Sequence, residues 1–319
     1  MKPRVLVTQK LFPEVLTFLE TETETEVLSR KGVPAKPDII RRIADKEGLL
    51  CLLTDKIDAE VMEAAPCLKV IANTAVGYDN IDIGHARHRG IMVTNTPEVL
   101  TEATADLTWA LILAVARRIP QSDRFIRRGK FEGWALDLCL GRDVSGKRLG
   151  IIGMGRIGRA VALRARAFRM ETVYFDPHPL SPGEENAHAA AFLPLDELLS
   201  SSDIVTVHAS LTPDSHHLIS GEKLALMKKA AIFVNVSRGP VVDEAALAET
   251  LEQKRIWGAG LDVYEREPEV EPRLLRLENV VLLPHIGSAT FETRLNMAMT
   301  AARNLVQGVQ GRRPDNLIY

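Results

Sequence analysis

Six residues, Gly153-Met154-Gly155-Arg156-Ile157-Gly158, constrain the fold of this chain more than any other stretch. They follow an apolar run, Arg148 to Ile152, that reads as a strand, and they lead into helical spacing from Gly158 to Phe168. Strand, glycine turn and helix in that order form a G-x-G-x-x-G dinucleotide fingerprint. The glycines permit a tight turn, close approach of a pyrophosphate and close packing of helix on strand. The start of the helix then offers unpaired N–H groups to phosphate. Taken alone, the pattern also fits a plain glycine-rich turn; the flanking strand and helix are what favour a nucleotide.

Asp176 strengthens that reading. It ends the next apolar run, Thr172 to Phe175, roughly 20 residues beyond the glycines, where an acidic side chain accepts hydrogen bonds from ribose hydroxyls. A carboxylate there repels a 2′-phosphate, and the following Pro177, His178, Pro179 and Leu180 supply no arginine to receive one. The expected cofactor is NAD rather than NADP.

The strand–helix alternation extends over the chain. Val5 to Val7, Gly48 to Leu53, Leu68 to Ala72 and Ile91 to Thr94 read as strands, with helical spacing over Glu14–Leu19, Asp38–Ala44 and Ala59–Ala64. Glu20 to Glu26 alternates Glu and Thr and reads as a solvated face. A long apolar helix is expected from about Leu100 to Ile119, stopped by Pro120, and then a polar arm from Gln121 to Gly146 with little periodicity. Further strands are expected at Asp203–Val207, Ala231–Asn235, Ala259–Asp262 and Val280–Leu283, and a last helix at Phe291–Val309. Such alternation implies parallel sheets and an α/β fold. At 319 residues the chain is long enough for two domains.

Its formal net charge of −2 provides no basic field for nucleic acid. The apolar run from Trp109 to Ala116 is too short to span a bilayer and reads as a buried helix. Cys51, Cys67 and Cys139 form no C-x-x-C pair, and the N-terminus lacks signal-peptide features. A cytoplasmic protein is expected. His216-His217, Cys51 and Cys67 match no zinc spacing, so no metal is expected.

Three ionisable residues stand at or just past strand ends of the second series: Arg238 in Asn235-Val236-Ser237-Arg238-Gly239, Glu267 after Gly260-Leu261-Asp262-Val263-Tyr264-Glu265, and His285 in Leu283-Pro284-His285-Ile286-Gly287. Singly they read as a surface cation, a solvated charge and a structural histidine. In a parallel sheet, however, the loops after strand ends gather at one edge, where ligands bind.

These stretches, with Val76-Gly77-Tyr78-Asp79-Asn80-Ile81-Asp82, make the sequence closely resemble the D-2-hydroxyacid dehydrogenase family. The matching motifs span roughly residues 70 to 290. Asn95-Thr96-Pro97-Glu98-Val99-Leu100-Thr101 and His285-Ile286-Gly287-Ser288-Ala289-Thr290 look most like its glyoxylate/hydroxypyruvate reductase branch. Many members of that branch carry an arginine-containing segment where this chain has Asp176, and prefer NADP.

The resemblance implies two doubly wound Rossmann-like domains, the cofactor domain (98–286) inserted into a substrate domain (1–97 with 287–319). It implies reduction of small 2-keto acids with NAD(H). Val76 and Gly77 would offer N–H groups to the substrate carboxylate, Leu53 and Ser288 would adjoin it, and Arg238 would bind carboxylate and keto oxygen through its planar fork. His285 would protonate the keto oxygen, with Glu267 orienting the imidazole and favouring its protonated form. Thr104, Gly153, Met154, Gly155, Arg156, Ile157, Gly158, Asp176, His208, Val236, Ser237, Asp262 and Gly287 would hold the cofactor, Asp262 at the nicotinamide amide. The long apolar helix and its arm would form a homodimer contact. Phosphoglycerate, phosphite or a larger 2-keto acid would suit the same machinery, and an NAD-sensing corepressor-like protein would suit the same fold.

Overall fold

Every pairing between strands of the two sheets is parallel in the computed structural model, which describes residues 1–29 and 32–319. Parallel pairing needs a crossover after each strand, and the helical segments of the sequence supply it. The chain divides into two units, residues 1–100 with 288–319 and residues 101–287.

In the first unit the elements run β1 (Arg4–Gln9), α1 (Pro13–Glu22), β2 (Glu24–Ser29), α2 (Lys36–Ile43), β3 (Gly48–Cys51), α3 (Ala59–Glu63), β4 (Val70–Asn73), α4 (Ile83–His88) and β5 (Met92–Thr94). Among the described residues they build a five-stranded sheet in the order β2-β1-β3-β4-β5. The central strands are buried from end to end, as expected of strands covered on both faces. The C-terminal helix Phe291–Val309 returns to this unit and packs Ala298, Ala301, Ala302 and Leu305 against Val5, Val7, Leu50 and Val70. Gly308 lets it seat: a Cβ there would lie 2.7 Å from Val70 Cβ. Each fully buried valine or leucine side chain at this contact contributes roughly 1.5–3 kcal/mol, and each alanine methyl less.

The Glu20–Glu26 stretch, expected as a solvated face, is exposed at Glu20, Thr21, Glu22 and Glu24; what the alternation did not reveal is a strand. From Glu24 onward the Glu/Thr alternation continues into β2, paired parallel with β1. Period-two spacing with threonine suits a strand, and the glutamates suit the edge position that β2 occupies.

The second unit runs α5 (Thr101–Ala116), α6 (Ile119–Arg127), β6 (Arg148–Ile152), α7 (Arg156–Ala165), β7 (Glu171–Phe175), α8 (Pro182–His188), β8 (Ala190–Phe192), α9 (Leu195–Ser201), β9 (Ile204–Val207), α10 (Gly221–Ala225), β10 (Ile232–Asn235), α11 (Glu244–Glu252), β11 (Gly258–Leu261) and β12 (Val280–Leu282). Its sheet order among the described residues is β12-β11-β10-β9-β6-β7-β8. The direction of strand progression reverses at β6, the switch point where open α/β sheets bind ligands. On one face α5 and α7 pack Trp109, Ile112 and Val161 against Leu149, Ile151 and Val234. On the other, Leu198, Leu247 and Leu251 join Val205, Phe233 and Leu261.

The long apolar helix is shorter than its composition suggests. It ends at Ala116; Arg118 takes a left-handed conformation (φ 52°), and Pro120 lies in the first turn of α6 rather than stopping a helix. A proline fits a first turn, where its missing N–H would have had no partner. The arm from Gln121 is therefore helical as far as Arg127.

Candidate active site

The glycine turn links β6 to α7. Gly153 has φ 95°, and its N–H donates to the Phe175 carbonyl at 2.8 Å. A Cβ on Gly153 would lie 2.6 Å from Ala209 N, and one on Gly158 would lie 2.2 Å from Gly153 O. These two glycines serve conformation and packing. Gly155 differs: nothing among the described residues stands within 4 Å of its Cβ position, and as N-cap of α7 it gives the helix no side-chain cap. Open space beside an uncapped helix start is what a pyrophosphate requires. Met154 is buried and Ile157 packs against the same core, so Met154 offers backbone while Arg156 stands exposed on the first turn.

Asp176 follows β7 and accepts Met154 N–H at 2.8 Å through Oδ2 and His178 N–H at 2.9 Å through Oδ1. Its carboxylate is thus fixed beside the glycine turn, with lone pairs remaining for hydroxyl donors. His208 follows β9. Burial pushes its imidazole down to about 3, keeping the ring neutral; Nε2 meets Thr206 Oγ1 at 3.0 Å, while the buried Nδ1 has no partner among the described residues. Thr104, buried on α5, lines the backbone of Gly287. Together these residues fit a nicotinamide dinucleotide.

The ends of β10, β11 and β12, neighbours in the sheet, carry the ionisable groups. After β10, Asn235 Oδ1 accepts both Ser237 N–H (3.0 Å) and Ser237 Oγ–H (2.9 Å), and Asn235 Nδ2 donates to the Arg238 carbonyl at 3.0 Å. This turn fixes the backbone from which the Arg238 side chain projects, with the buried Val236 beneath it. Gly239 packs so closely on the next loop that a Cβ would fall 1.9 Å from Tyr264 C.

After β12, His285 adopts φ 53°, and its N–H donates to Asp262 O at 2.9 Å. Nδ1 of His285 meets Glu267 Oε2 at 2.9 Å, while Glu267 Oε1 accepts Tyr264 N–H at 3.1 Å. Burial pushes the Glu267 carboxyl up, but the imidazole bonded to it, the Tyr264 N–H and the Arg238 charge bring it below the ordinary carboxylate range. Asp262, almost fully buried at the end of β11, takes Ile286 N–H on Oδ1 and Gly287 N–H on Oδ2, each at 2.7 Å. Burial raises its carboxyl despite those bonds. Asp262 therefore secures the turn after His285 from both sides.

In the first unit, Leu53 stands exposed just past β3, and Ser288, half-buried, opens the returning segment. Val76 and Gly77 lie past β4. Three consecutive carbonyls here are tethered: Ala75 O by Thr96 N–H (2.9 Å), Val76 O by Asn95 Nδ2 (2.8 Å) and Gly77 O by Asn73 Nδ2 (2.9 Å). In a planar trans peptide the following N–H points opposite the carbonyl. The N–H groups of Val76, Gly77 and Tyr78 are thus turned away from their tethers. Among the described residues none of the three has an acceptor.

Sequence reading assigned no role to Asn73, Asn95 or Asn235. Asn95 and Asn235 lie within the motif stretches, which was the available signal; Asn73, inside a strand, carried none. His216 and His217 stack on each other at 4.2 Å, and the three cysteines are free thiols. Among the described residues no group of three or more potential ligands is placed to hold a metal ion, and no helix is long and apolar enough to cross a membrane.

The family model for the NAD-binding domain of D-isomer specific 2-hydroxyacid dehydrogenases matches residues 109–287. A glyoxylate reductase of Korarchaeum cryptofilum is 48% identical over all of this chain and 96% of its own length. This chain belongs to the D-isomer specific 2-hydroxyacid dehydrogenase family. Among solved structures, a protein from Thermus thermophilus superposes with a TM-score of 0.91 at 46% identity, covering 99% of this chain and 100% of that one. An NADPH-dependent glyoxylate/hydroxypyruvate reductase of Sinorhizobium meliloti, in complex with NADP and malonate, gives 0.88 at 33% identity, covering 100% and 97%. The dehydrogenase is an oxidoreductase that reduces 2-keto acids with a nicotinamide cofactor.

Proposed function

We propose that this dehydrogenase reduces glyoxylate and hydroxypyruvate to their 2-hydroxy acids with NADH. The Glu267–His285 contact of 2.9 Å carries the reading, because it sets an imidazole against a carboxylate past a strand end, where the Arg238 charge also acts on that carboxylate. The name of the Korarchaeum relative supports glyoxylate as substrate. Asp176 supports NADH, since a fixed carboxylate at this position repels a 2′-phosphate.

The N–H groups of Val76 and Gly77 hold the substrate carboxylate, with Leu53 and Ser288 adjoining it. Arg238 binds carboxylate and keto oxygen through two parallel N–H groups and stabilises the negative charge that develops on that oxygen. When bound, NADH supplies the hydride that reduces the keto carbon. His285 gives the keto oxygen a proton from Nε2, its Nδ1 being engaged by Glu267. The Glu267 carboxylate stabilises the protonated ring before transfer. Gly155 and the start of α7 receive the pyrophosphate, Gly153 and Gly158 set the turn and the helix packing that present them, and Asp176 receives the ribose hydroxyls. Thr104, Val236, Ser237, Asp262, Gly287 and the neutral His208 line the nicotinamide side.

The working form is a homodimer. Phe131, Trp134, Leu136 and Leu140, all exposed on the arm after α6, form the face a second copy would cover. Sedimentation of the purified protein tests this, a monomer contradicting it.

The substrate and cofactor assignments are tested by steady-state kinetics on a panel of 2-keto acids with each cofactor. The expected result is the highest kcat/KM for glyoxylate or hydroxypyruvate with NADH. A higher kcat/KM for phosphohydroxypyruvate or a branched 2-keto acid would overturn the substrate assignment, and a preference for NADPH would overturn the cofactor assignment.

A further inference from the structure

Glu244 begins α11 and is 7% exposed. Its Oε2 accepts Glu265 N–H at 2.7 Å and its Oε1 accepts Glu271 N–H at 2.8 Å. One carboxylate thus spans both ends of the segment that contains Glu267. Its own N–H donates to Glu265 Oε2 at 3.3 Å, and Glu265 Oε1 meets His217 Nε2 at 3.1 Å. Glu271 in turn pairs with Arg273 at 2.7 Å.

Two features separate this arrangement from ordinary helix capping. Asp243 already caps α11, accepting Ala246 N–H at 2.9 Å. Glu244 directs both oxygens at another loop instead. That loop needs an anchor: Arg266, Pro268 and Glu269, which flank Glu267, are exposed, so packing does little to hold them. Burial pushes the Glu244 carboxyl up, and the charges of Glu265 and Glu271 add to this against the two N–H groups. A buried carboxylate that faces two others is costly to retain.

We propose that Glu244 is a positioning residue for catalysis: its carboxylate clamps the Glu265–Glu271 loop at both ends and so holds Glu267 on His285. The inference rests on the reading of Glu267 and His285 as the acid–base pair. Gly239, pressed against the Tyr264 carbonyl, joins the same loop to the Arg238 segment, so the clamp also keeps that packing in register. Of the charged groups around the Glu267–His285 pair, Arg238 acts on the Glu267 carboxylate and Asp262 lies against both members.

The test compares the wild type, E244Q, E267Q and the double variant in kcat for reduction, the pH profile of reduction, NADH affinity and Tm. Glutamine keeps the shape but turns an NH₂ towards one of the two backbone donors. E244Q is expected to lower kcat about tenfold and to move the basic limb of the profile down in pH, in the same direction as E267Q but less far. NADH affinity should stay within about twofold, and in the double variant the effect of E244Q should largely disappear, because the two residues act through one contact. If E244Q lowers Tm but leaves the basic limb where it was while E267Q moves it, Glu244 is structural only and the proposal falls. If E267Q itself leaves the limb in place, the acid–base reading fails and takes the proposal with it. Should E244Q not fold, E244D keeps the charge on a side chain too short to reach both N–H groups and carries the same comparison.

Discussion

Glu267 and His285 lie 18 residues apart in the chain, and their side chains meet at 2.9 Å. The contact arises because β11 and β12 are neighbours in the sheet, so the loops that follow them emerge side by side. Asp262 locks the turn after His285, and Tyr264 N–H locks the other Glu267 oxygen. With Nδ1 engaged by the carboxylate, Nε2 is the ring nitrogen through which a proton can pass to substrate. The depressed carboxyl of Glu267 is the electrostatic signature of the pair, since it stays charged opposite a ring that can bear charge.

Cofactor choice is expected to follow Asp176. The wild type should favour NADH in kcat/KM, and Asp176→Ser should narrow the gap by removing the repulsive carboxylate. Because Asp176 also holds Met154 N–H, the serine variant should bind NADH more weakly as well, by roughly tenfold for one lost charge-assisted bond. Kinetics with both cofactors check the ratio, and a wild-type preference for NADPH would contradict it.

Arg238→Lys replaces a planar fork with a point charge that cannot make two parallel bonds. The expected loss in kcat/KM is on the order of 10–100-fold, through both a higher KM for the keto acid and a lower kcat. NADH affinity, followed by fluorescence titration, should change little. If it fell as much as catalysis, Arg238 would belong to the cofactor site.

Asn95→Ala removes the donor that tethers the Val76 carbonyl. The peptide is then free to turn, and the Gly77 N–H loses its fixed direction. KM for the keto acid should rise by about three- to tenfold with kcat nearly unchanged, as expected when binding to the unreacting carboxylate is weakened. An unchanged KM would remove the Val76–Gly77 turn from the substrate site.

Much of the fold is legible because parallel α/β sheets leave a strong record: short apolar runs separated by helical spacing, with one glycine turn in context. The failures have local causes. Pro120 carries the same chemistry whether it ends a helix or begins one, and only the left-handed Arg118 before it decides between them. The β2 strand is hidden by glutamates that an edge position tolerates. At the site, Glu267 stands in the charged run Glu265-Arg266-Glu267-Pro268-Glu269, which reads as solvated surface until the sheet brings His285 beside it. Asn95 and Glu244 act on backbone groups of other loops, and Asn73 on the loop that follows its own strand. Such partners leave no side-chain pattern in the sequence, so these residues emerge only from the folded chain.

The most direct test of the acid–base pair is the pH dependence of kcat/KM in both directions for the wild type and Glu267→Gln. Reduction needs a proton on His285, and oxidation of the 2-hydroxy acid needs that proton absent. The carboxylate favours the protonated ring, and the reciprocal effect is the lowered Glu267 carboxyl itself. Removing the charge should therefore move the basic limb of reduction to lower pH and extend oxidation further into acid, both limbs shifting together. His285→Ala should lower kcat by about 10²–10⁴ in each direction. If Glu267→Gln left both limbs where they stand in the wild type, the pair would not be coupled, and the assignment of His285 as the proton donor would fail.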